Sequence, residues 1–239
     1  DEQGVVTDTS LLVWTTTPWT LPGNMAAAVH NDIDYVKVSP KSKVTSVEIG
    51  SGTRDGGKVT EASVSTKEFY ILAKGRLIHL PEIAGIEYEI IESIKGSELV
   101  GRSYQAPFAY LKTETFDQTN AWKIWHADYV ELGEEGTGAV HVAPAYGEDD
   151  MQLGKRENLP WVQHVALDGT MKVEVIDFAG RSVKSKEDPS AMDVEIIKHL
   201  AKAGTLFAKE KYEHSYPHCW RCDTPLLNYA TSSWFVKAT

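Results

Sequence analysis

The segment from Trp14 to Asn24 constrains the fold most, because two prolines interrupt a dense run of polar side chains. The apolar residues Leu11 to Trp14 lead into it and predict a strand. Proline fixes φ and lacks an N–H, so the chain must leave regular strand pairing near Pro18. Threonines alone more often mark the surface of a strand. The prolines, the tryptophans and Asn24 instead favour a rigid wall of a polar pocket.

Composition is that of a globular domain and argues against some classes of function. The 239 residues are enough to bury a real core, and their net charge is −10. That charge disfavours a general binder of phosphate backbones, which needs clustered lysine and arginine. No stretch approaches the roughly 18 apolar residues of a membrane span. The first residues lack both a methionine and a basic leader, so we expect a fragment of a longer polypeptide. The pair of cysteines predicts a reducing compartment, the cytoplasm.

Short β-branched segments separated by turn residues extend from Leu11 to about Pro144 and predict a β-rich barrel or mixed sheet. The glycine-rich stretch 51–57 is typical of a hairpin tip and carries no chemistry. Helices are predicted at 148–158 and 191–203, the second ending at Gly204. The predicted strands cover residues 26–30, 35–39, 44–49, 68–73, 88–94, 122–132 and 138–143.

A second concentrated signal lies between Gly136 and Asp150, where a strand ends at a proline and carboxylates follow at a helix start. Acidic residues in a first helical turn are common as caps and partners of the helix dipole. A carboxylate beside a polar loop can also bind an ammonium group through a charge-assisted hydrogen bond, which makes Asp150 a candidate. His141 lies in the apolar strand, where a histidine is more often a satisfied core residue than a functional one.

Three motifs together resemble the editing domain inserted in isoleucyl-tRNA synthetases, over residues 11–237. In the related valyl and leucyl enzymes an arginine follows two threonines, whereas this chain continues Thr17-Pro18-Trp19. The chain has neither the His-x-Gly-His nor the Lys-Met-Ser-Lys-Ser signature of that family, so its ATP-dependent synthetic site is not expected here. The motifs are Trp14 to Asn24, Gly136 to Pro144 with Gly147-x-Asp149-Asp150, and His214 to Cys222.

The resemblance implies a β-rich mixed α/β fold with a closed β-barrel core and peripheral helices. Residues 1–208 would form the editing domain, and residues 209–239 would form a ribbon that returns to a catalytic domain. The exposed aromatic residues of this ribbon would be a severed contact between domains. These aromatics are Tyr212, Tyr216, Trp220, Tyr229 and Trp234.

The resemblance also implies an activity: hydrolysis of valine wrongly esterified to isoleucine tRNA, and of valyl-adenylate, by an oriented water and without a cofactor. His141 would exclude isoleucine by its shape, and Asp150 would hold the substrate ammonium group. No Gly-x-Ser-x-Gly elbow supports a nucleophilic serine. An alternative is a module that binds an aminoacyl-adenosine with negligible turnover. The side chains expected to hydrogen-bond the terminal ribose and the water are those of Thr15, Thr16, Thr17, Thr20 and Asn24.

Cys219 and Cys222 have the spacing of one half of a structural zinc site, which needs four ligands. In family members with zinc at this position, the partner pair lies upstream of the inserted domain. Zinc is therefore expected only together with cysteines outside this sequence. A local alternative would add His214 or His218 as ligands.

Overall fold

The computed structural model describes residues 8–41, 68–111, 116–133, 135–210, 215–234 and 236. Two sheets and four α-helices make up its regular structure, with two short 3-10 helices at Pro18–Gly23 and Lys74–His79. The strands are β1 (Thr9–Leu11), β2 (Ala26–Val29), β3 (Asp34–Pro40), β4 (Phe69–Ala73), β5 (Tyr88–Lys95), β6 (Lys123–His126) and β7 (Val140–Val142). The helices are α1 (Leu80–Ala84), α2 (Gly96–Leu99), α3 (Glu148–Arg156) and α4 (Ala191–Ala203).

Strand β2 is the centre of the smaller sheet, whose order is β6-β2-β7. It runs parallel to β6 and antiparallel to β7, with Ala27 opposite both Ile124 and His141. All four β2 residues are buried. Three of them are alanines, so the strand has small side chains on both faces. Helix α3 covers one face, where Leu153 packs in a cluster with Ala26, Ala28 and Val142.

The larger sheet has the order β1-β4-β3-β5, in which β1 and β4 are parallel and the other pairs are antiparallel. Its central strand β3 is mostly buried, whereas β5 has five consecutive exposed residues between Tyr88 and Ile94. This pattern is that of an edge strand. Trp14 joins the two sheets, because it forms a parallel bridge with Val140 of β7.

The prediction of a closed barrel is wrong for the part of the chain that the structure describes. A barrel closes only when its first and last strands pair. Here β1 and β5 are the edges of one sheet, and β6 and β7 are the edges of the other. The observed architecture is a mixed α/β fold with two open sheets.

Most predicted elements are confirmed, with shorter limits. Helix α4 matches its predicted bounds, and Gly204 ends it in the left-handed conformation at φ 73°. Helix α3 ends two residues before the predicted position. The predicted strand 122–132 is reduced to β6, because Trp122 has a positive φ of 53° and a turn follows at Ala127. The predicted strand 44–49 and the hairpin tip 51–57 lie outside the described residues.

The C-terminal segment packs against the rest of the chain. Ala230 donates its N–H to Ala145 O at 2.9 Å, and the Tyr229 hydroxyl donates to Val165 O at 3.1 Å. Trp220 and Trp234 are exposed, whereas Tyr216 and Tyr229 are half-buried and Tyr212 lies outside the described residues.

The division of the chain at residue 208 stays a prediction. None of the described helices combines the length and the apolar character that crossing a bilayer requires.

The close packing of β2 predicts that enlarging Ala28 destabilises the fold. Ala28 is fully buried against the α3 side of the sheet, so Ala28→Leu would overpack this layer. Such changes cost about 1–3 kcal/mol of unfolding free energy, which urea denaturation would measure. The control is Ala203→Leu at the exposed end of α4, where we expect a change within about 0.5 kcal/mol. Equal effects of the two substitutions would contradict the assignment.

Candidate functional site

The threonine segment leaves the sheet and turns into a 3-10 helix at Pro18, as its sequence predicts. Before the threonines, Trp14 N–H donates a backbone hydrogen bond to Ala139 O, at 3.3 Å. Thr15 Oγ1 then accepts the N–H of Thr17 at 3.0 Å. The Thr20 hydroxyl donates to Thr17 O at 2.8 Å. The Thr15, Thr16 and Thr17 side chains lie at the surface, only partly buried, whereas Thr20 is buried.

A hydrogen bond between Thr20 Oγ1 and His141 Nε2, 2.8 Å long, joins this segment to β7. The two residues are 121 positions apart in the sequence. Since the Thr20 hydroxyl donates to Thr17 O, it accepts from the imidazole, which places the proton on Nε2. His141 Nδ1 is then an acceptor; it is buried and has no partner among the described residues. The structure therefore brings together the two predicted regions of the site.

Burial keeps His141 neutral. Desolvation, and then the neighbouring His164, lower the pKa of His141 to about 4. The sequence analysis did not single out His164, which is buried and bonds Trp19 O through Nε2 at 3.0 Å. A Cβ at Gly23 would lie only 2.3 Å from His164 Nδ1, so this imidazole packs directly against the backbone of the 3-10 helix. His164 thus helps to fix the turn that carries Thr20, a role with no recognisable signal in the sequence.

Asp150 lies in the first turn of α3 and is tied to the end of β7. Its Oδ2 accepts the N–H of Ala143 at 2.8 Å, two residues after His141. Burial raises the pKa of Asp150 to about 6. The hydrogen bond from Ala143 N–H lowers this pKa, and the nearby Asp149 charge raises it. Glu148 and Asp149 are exposed, in keeping with an ordinary acidic helix start. Asp150 is thus the carboxylate of this group that is held inside the fold.

Asn24 occupies a different environment from the threonines. It is buried, its Nδ2 donates to Ala26 O at 2.8 Å, and its Oδ1 accepts the Tyr104 hydroxyl at 2.6 Å. The Trp122 indole N–H also donates to Asn24 O, at 3.0 Å. These contacts anchor the start of β2 and engage both ends of the side-chain amide. The structure therefore does not bring the Asn24 side chain together with His141.

A cavity of about 450 Å³ lies beside the site, and none of the predicted site residues lines it. Trp14, Tyr129, Glu131, Gly136 and Val140 are among its walls. Val140 belongs to the cluster on the α3 side of the sheet, whereas His141 points to the opposite face because side chains alternate along a strand. The hydroxyl oxygen of Tyr129 is buried there without a partner among the described residues.

The cysteine pair forms a tight turn at the surface. Cys219 N–H donates to Thr224 O at 2.8 Å, and Cys222 Sγ lies 3.0 Å from Thr224 Oγ1. Hydrogen bonds from Thr224 and Cys219 lower the pKa of Cys222 to about 7. Among the described residues, no histidine, cysteine or carboxylate joins the two sulfurs as a third ligand. His214 lies outside the described residues, and the zinc assignment stays a prediction.

Comparison with known proteins finds relatives that match nearly the whole chain, including this site. No protein-family model matches the chain. Isoleucine–tRNA ligase 2 of Bacillus cereus is 42% identical over 228 residues, which are 95% of this chain and 18% of that protein. Isoleucine–tRNA ligase of Clostridium acetobutylicum is 40% identical over 229 residues, which are 96% of this chain and 18% of that protein.

The chain is homologous to one segment of the isoleucine–tRNA ligases. It spans about a fifth of the length of the relatives it matches, and the resemblance drawn from the three motifs is confirmed. The fold resembles the crystal structure of GlLeuRS-CP1 with a TM-score of 0.56, at 13% sequence identity and over 85% of each chain. At that identity the likeness concerns the fold alone, a mixed α/β fold.

The buried Asp150 carboxylate predicts that the stability of this chain depends on pH. The folded-state pKa of Asp150 is raised from 3.8 to about 6, so folding favours the protonated form. The associated stability is full below about pH 4 and is lost as the pH rises through about 6. Asp150→Asn keeps an acceptor for Ala143 N–H, so we expect it to stabilise the fold at pH 8 by up to about 3 kcal/mol and to lose that advantage by pH 4.

Thermal or urea unfolding between pH 4 and pH 8 measures this difference. The matched control is Asp149→Asn, an exposed neighbour in the same helical turn. A pH-independent difference for Asp150→Asn, or the same pH dependence in both variants, would contradict the burial of the Asp150 charge.

Proposed function

We propose that this segment is a proofreading site that hydrolyses valine esterified to isoleucine tRNA, an aminoacyl-tRNA deacylase within an isoleucine–tRNA ligase. The observation that carries the proposal is the Thr20–His141 hydrogen bond, with the Asp150 carboxylate bonded to Ala143 N–H, two residues beyond His141. Hydroxyls and a neutral imidazole thus meet at β7, and a carboxylate is bonded to the residue that follows the same strand. Valyl-adenylate is a second substrate of the same chemical class.

Asp150 would bind the α-ammonium group of the substrate. Ala143 N–H uses Oδ2, and the ionised carboxylate retains further acceptor positions. A charge-assisted hydrogen bond is stronger where water is partly excluded, and Asp150 is largely buried. The cost of burying this charge is then offset when an ammonium group arrives. Such a contact positions the ester for attack, and positioning supplies much of the rate in a site without strong acid or base groups.

His141 would act through its shape. A hydrophobic pocket separates substrates that differ by one methylene by only about 1–3 kcal/mol, so a second site must reject isoleucine and accept valine. The Thr20 hydrogen bond fixes the imidazole, and a pKa of about 4 keeps it uncharged at neutral pH. A rigid, neutral ring is suited to a steric wall and is too weak a base to drive hydrolysis.

The attacking water would be oriented by the partly exposed hydroxyls of Thr15, Thr16 and Thr17. These hydroxyls would also contact the ribose of the terminal adenosine. Thr20 links this group to His141, and Asn24 would hold the start of β2 in place from inside the fold. We thus assign Asn24 a positioning role, because its amide is engaged by Ala26 and Tyr104.

The partners in this proposal are the aminoacylated 3′ end of isoleucine tRNA and the rest of a longer synthetase polypeptide, in the cytoplasm. The net charge of −10 favours weak affinity for tRNA by this segment alone. A second candidate function follows from that charge: the isolated segment binds an aminoacyl-adenosine and turns it over negligibly. Titration with a non-hydrolysable valyl-adenosine analogue beside a turnover assay separates the two functions, since binding without measurable deacylation supports the second.

Deacylation of Val-tRNA should depend on ionised Asp150. We expect kcat/KM to fall about tenfold per pH unit below about pH 6, since kcat/KM reports ionisations of the free protein. Asp150→Asn should lower kcat/KM by about 100-fold or more and abolish this acidic limb. Single-turnover assays from pH 5 to pH 8 measure both effects. Asp149→Asn serves as the control, and a rate for Asp150→Asn equal to that of the parent would refute the role of Asp150.

Removing the His141 ring should relax the specificity. We expect His141→Ala to raise the deacylation rate of Ile-tRNA by at least about tenfold, while the rate with Val-tRNA changes less. Parallel assays with both tRNAs measure the ratio, and circular dichroism checks the fold. His79→Ala, at a half-exposed histidine outside the site, is the control. An unchanged ratio of the two rates in His141→Ala would exclude the steric wall.

A further inference from the structure

Two histidines and an aspartate meet at the other end of β2, away from the proposed editing site. Strands β2 and β6 run parallel, with Val29 opposite His126. His126 is the last residue of β6, and His30 directly follows β2. The imidazoles contact each other edge to face with ring centroids 5.0 Å apart. Parallel pairing thus places two nitrogen ligands side by side, and Asp128 adds a carboxylate two residues after His126.

The distances within this group match those around a single metal ion. One ring nitrogen of each histidine and one carboxylate oxygen of Asp128 all lie within 4.8 Å of one another. His126 Nε2 and Asp128 Oδ1 are 3.0 Å apart. Ligands bound to zinc at about 2.0–2.2 Å in a tetrahedral shell are separated by about 3.3–3.6 Å from each other. Small side-chain rotations would therefore complete a three-ligand site.

We propose that His30, His126 and Asp128 form a binding site for a divalent transition metal, with zinc as the best match. Two imidazole nitrogens and one carboxylate oxygen are ligands that zinc favours, with water completing a tetrahedral shell. Asp128 is exposed and both histidines are half-buried, so an ion can enter from solvent. The metal would fasten the turn after β2 to the segment after β6.

Metal binding would replace three hydrogen bonds of the two imidazoles, one of which joins His126 Nε2 to Asp128 Oδ1. Asn31 N–H donates to His126 Nδ1 and Asp32 N–H donates to His30 Nδ1, each at 3.2 Å. In the metal-free protein the proton of each neutral ring is therefore on Nε2. An ion at Nε2 takes the place of that proton, and the neutral ring then carries its proton on Nδ1. The Asn31 and Asp32 N–H groups therefore lose their imidazole acceptors and hydrogen-bond water instead. The charge of the nearby Arg156 does not oppose a metal ion at these three side chains. Arg156 donates to His126 O, and its positive charge is paired with Glu157 at 2.7 Å.

Zinc titration of the whole chain tests this site, in a Cys219→Ser/Cys222→Ser background that removes the competing thiols. We expect one zinc ion per chain by isothermal titration calorimetry, and binding weakened more than about tenfold by Asp128→Asn or by His126→Gln. The matched control is Glu82→Gln, because Glu82 pairs with His79 at 3.6 Å in a histidine–carboxylate contact that no second histidine of the described residues joins. Glu82→Gln should bind zinc like the parent.

Unfolding measurements give a second readout. Zinc should raise the thermal midpoint of the parent and of Glu82→Gln, and should leave that of Asp128→Asn unchanged, because a metal that binds only the folded state stabilises it. Asp128 is exposed, so its substitution should leave the midpoint without zinc as it is. Zinc affinity and thermal shift unaltered by both Asp128→Asn and His126→Gln, or no binding by the parent below millimolar zinc, would overturn the proposal.

Discussion

Strand β2 is the constraint on which the rest of the structure depends. Its side chains are buried on both faces between β6 and β7, so only small residues fit along most of its length. The register of these two pairings sets Ala27 opposite His141 and Val29 opposite His126. A slip by one residue would turn His141 to the α3 side of the sheet and would separate it from Thr20.

The two ends of this strand carry different chemistry for the same geometric reason. At the start of β2, Asn24 fixes the chain from inside, and the preceding 3-10 helix presents Thr20 to His141. At the other end, parallel pairing with β6 sets His30 beside His126. Polar groups collect where a buried strand emerges, because backbone groups there are released from the sheet and side chains can reach solvent.

The proposed site combines groups whose charges are set by burial. A neutral His141 and a carboxylate with a raised pKa both result from desolvation beside the end of β7. Holding Asp150 in this environment costs stability at neutral pH, and a bound ammonium group would compensate for that cost. Residues that favour binding over stability are common at functional sites, and Asp150 has the environment expected of one.

The sequence by itself determined the resemblance to isoleucine–tRNA ligases, helix α4 with its glycine stop, most strands, and the turn of the chain into a 3-10 helix at Pro18. These features follow from local preferences and short motifs, since proline geometry and alternating or helical patterns act over a few residues. Only the tertiary structure decided that the described sheets stay open, that Asn24 points inward, and that Thr20 bonds His141. It also placed His164 behind the 3-10 helix and raised the pKa of Asp150. Sheet closure and pKa depend on pairing and desolvation by elements far apart in the chain, so no local pattern encodes them.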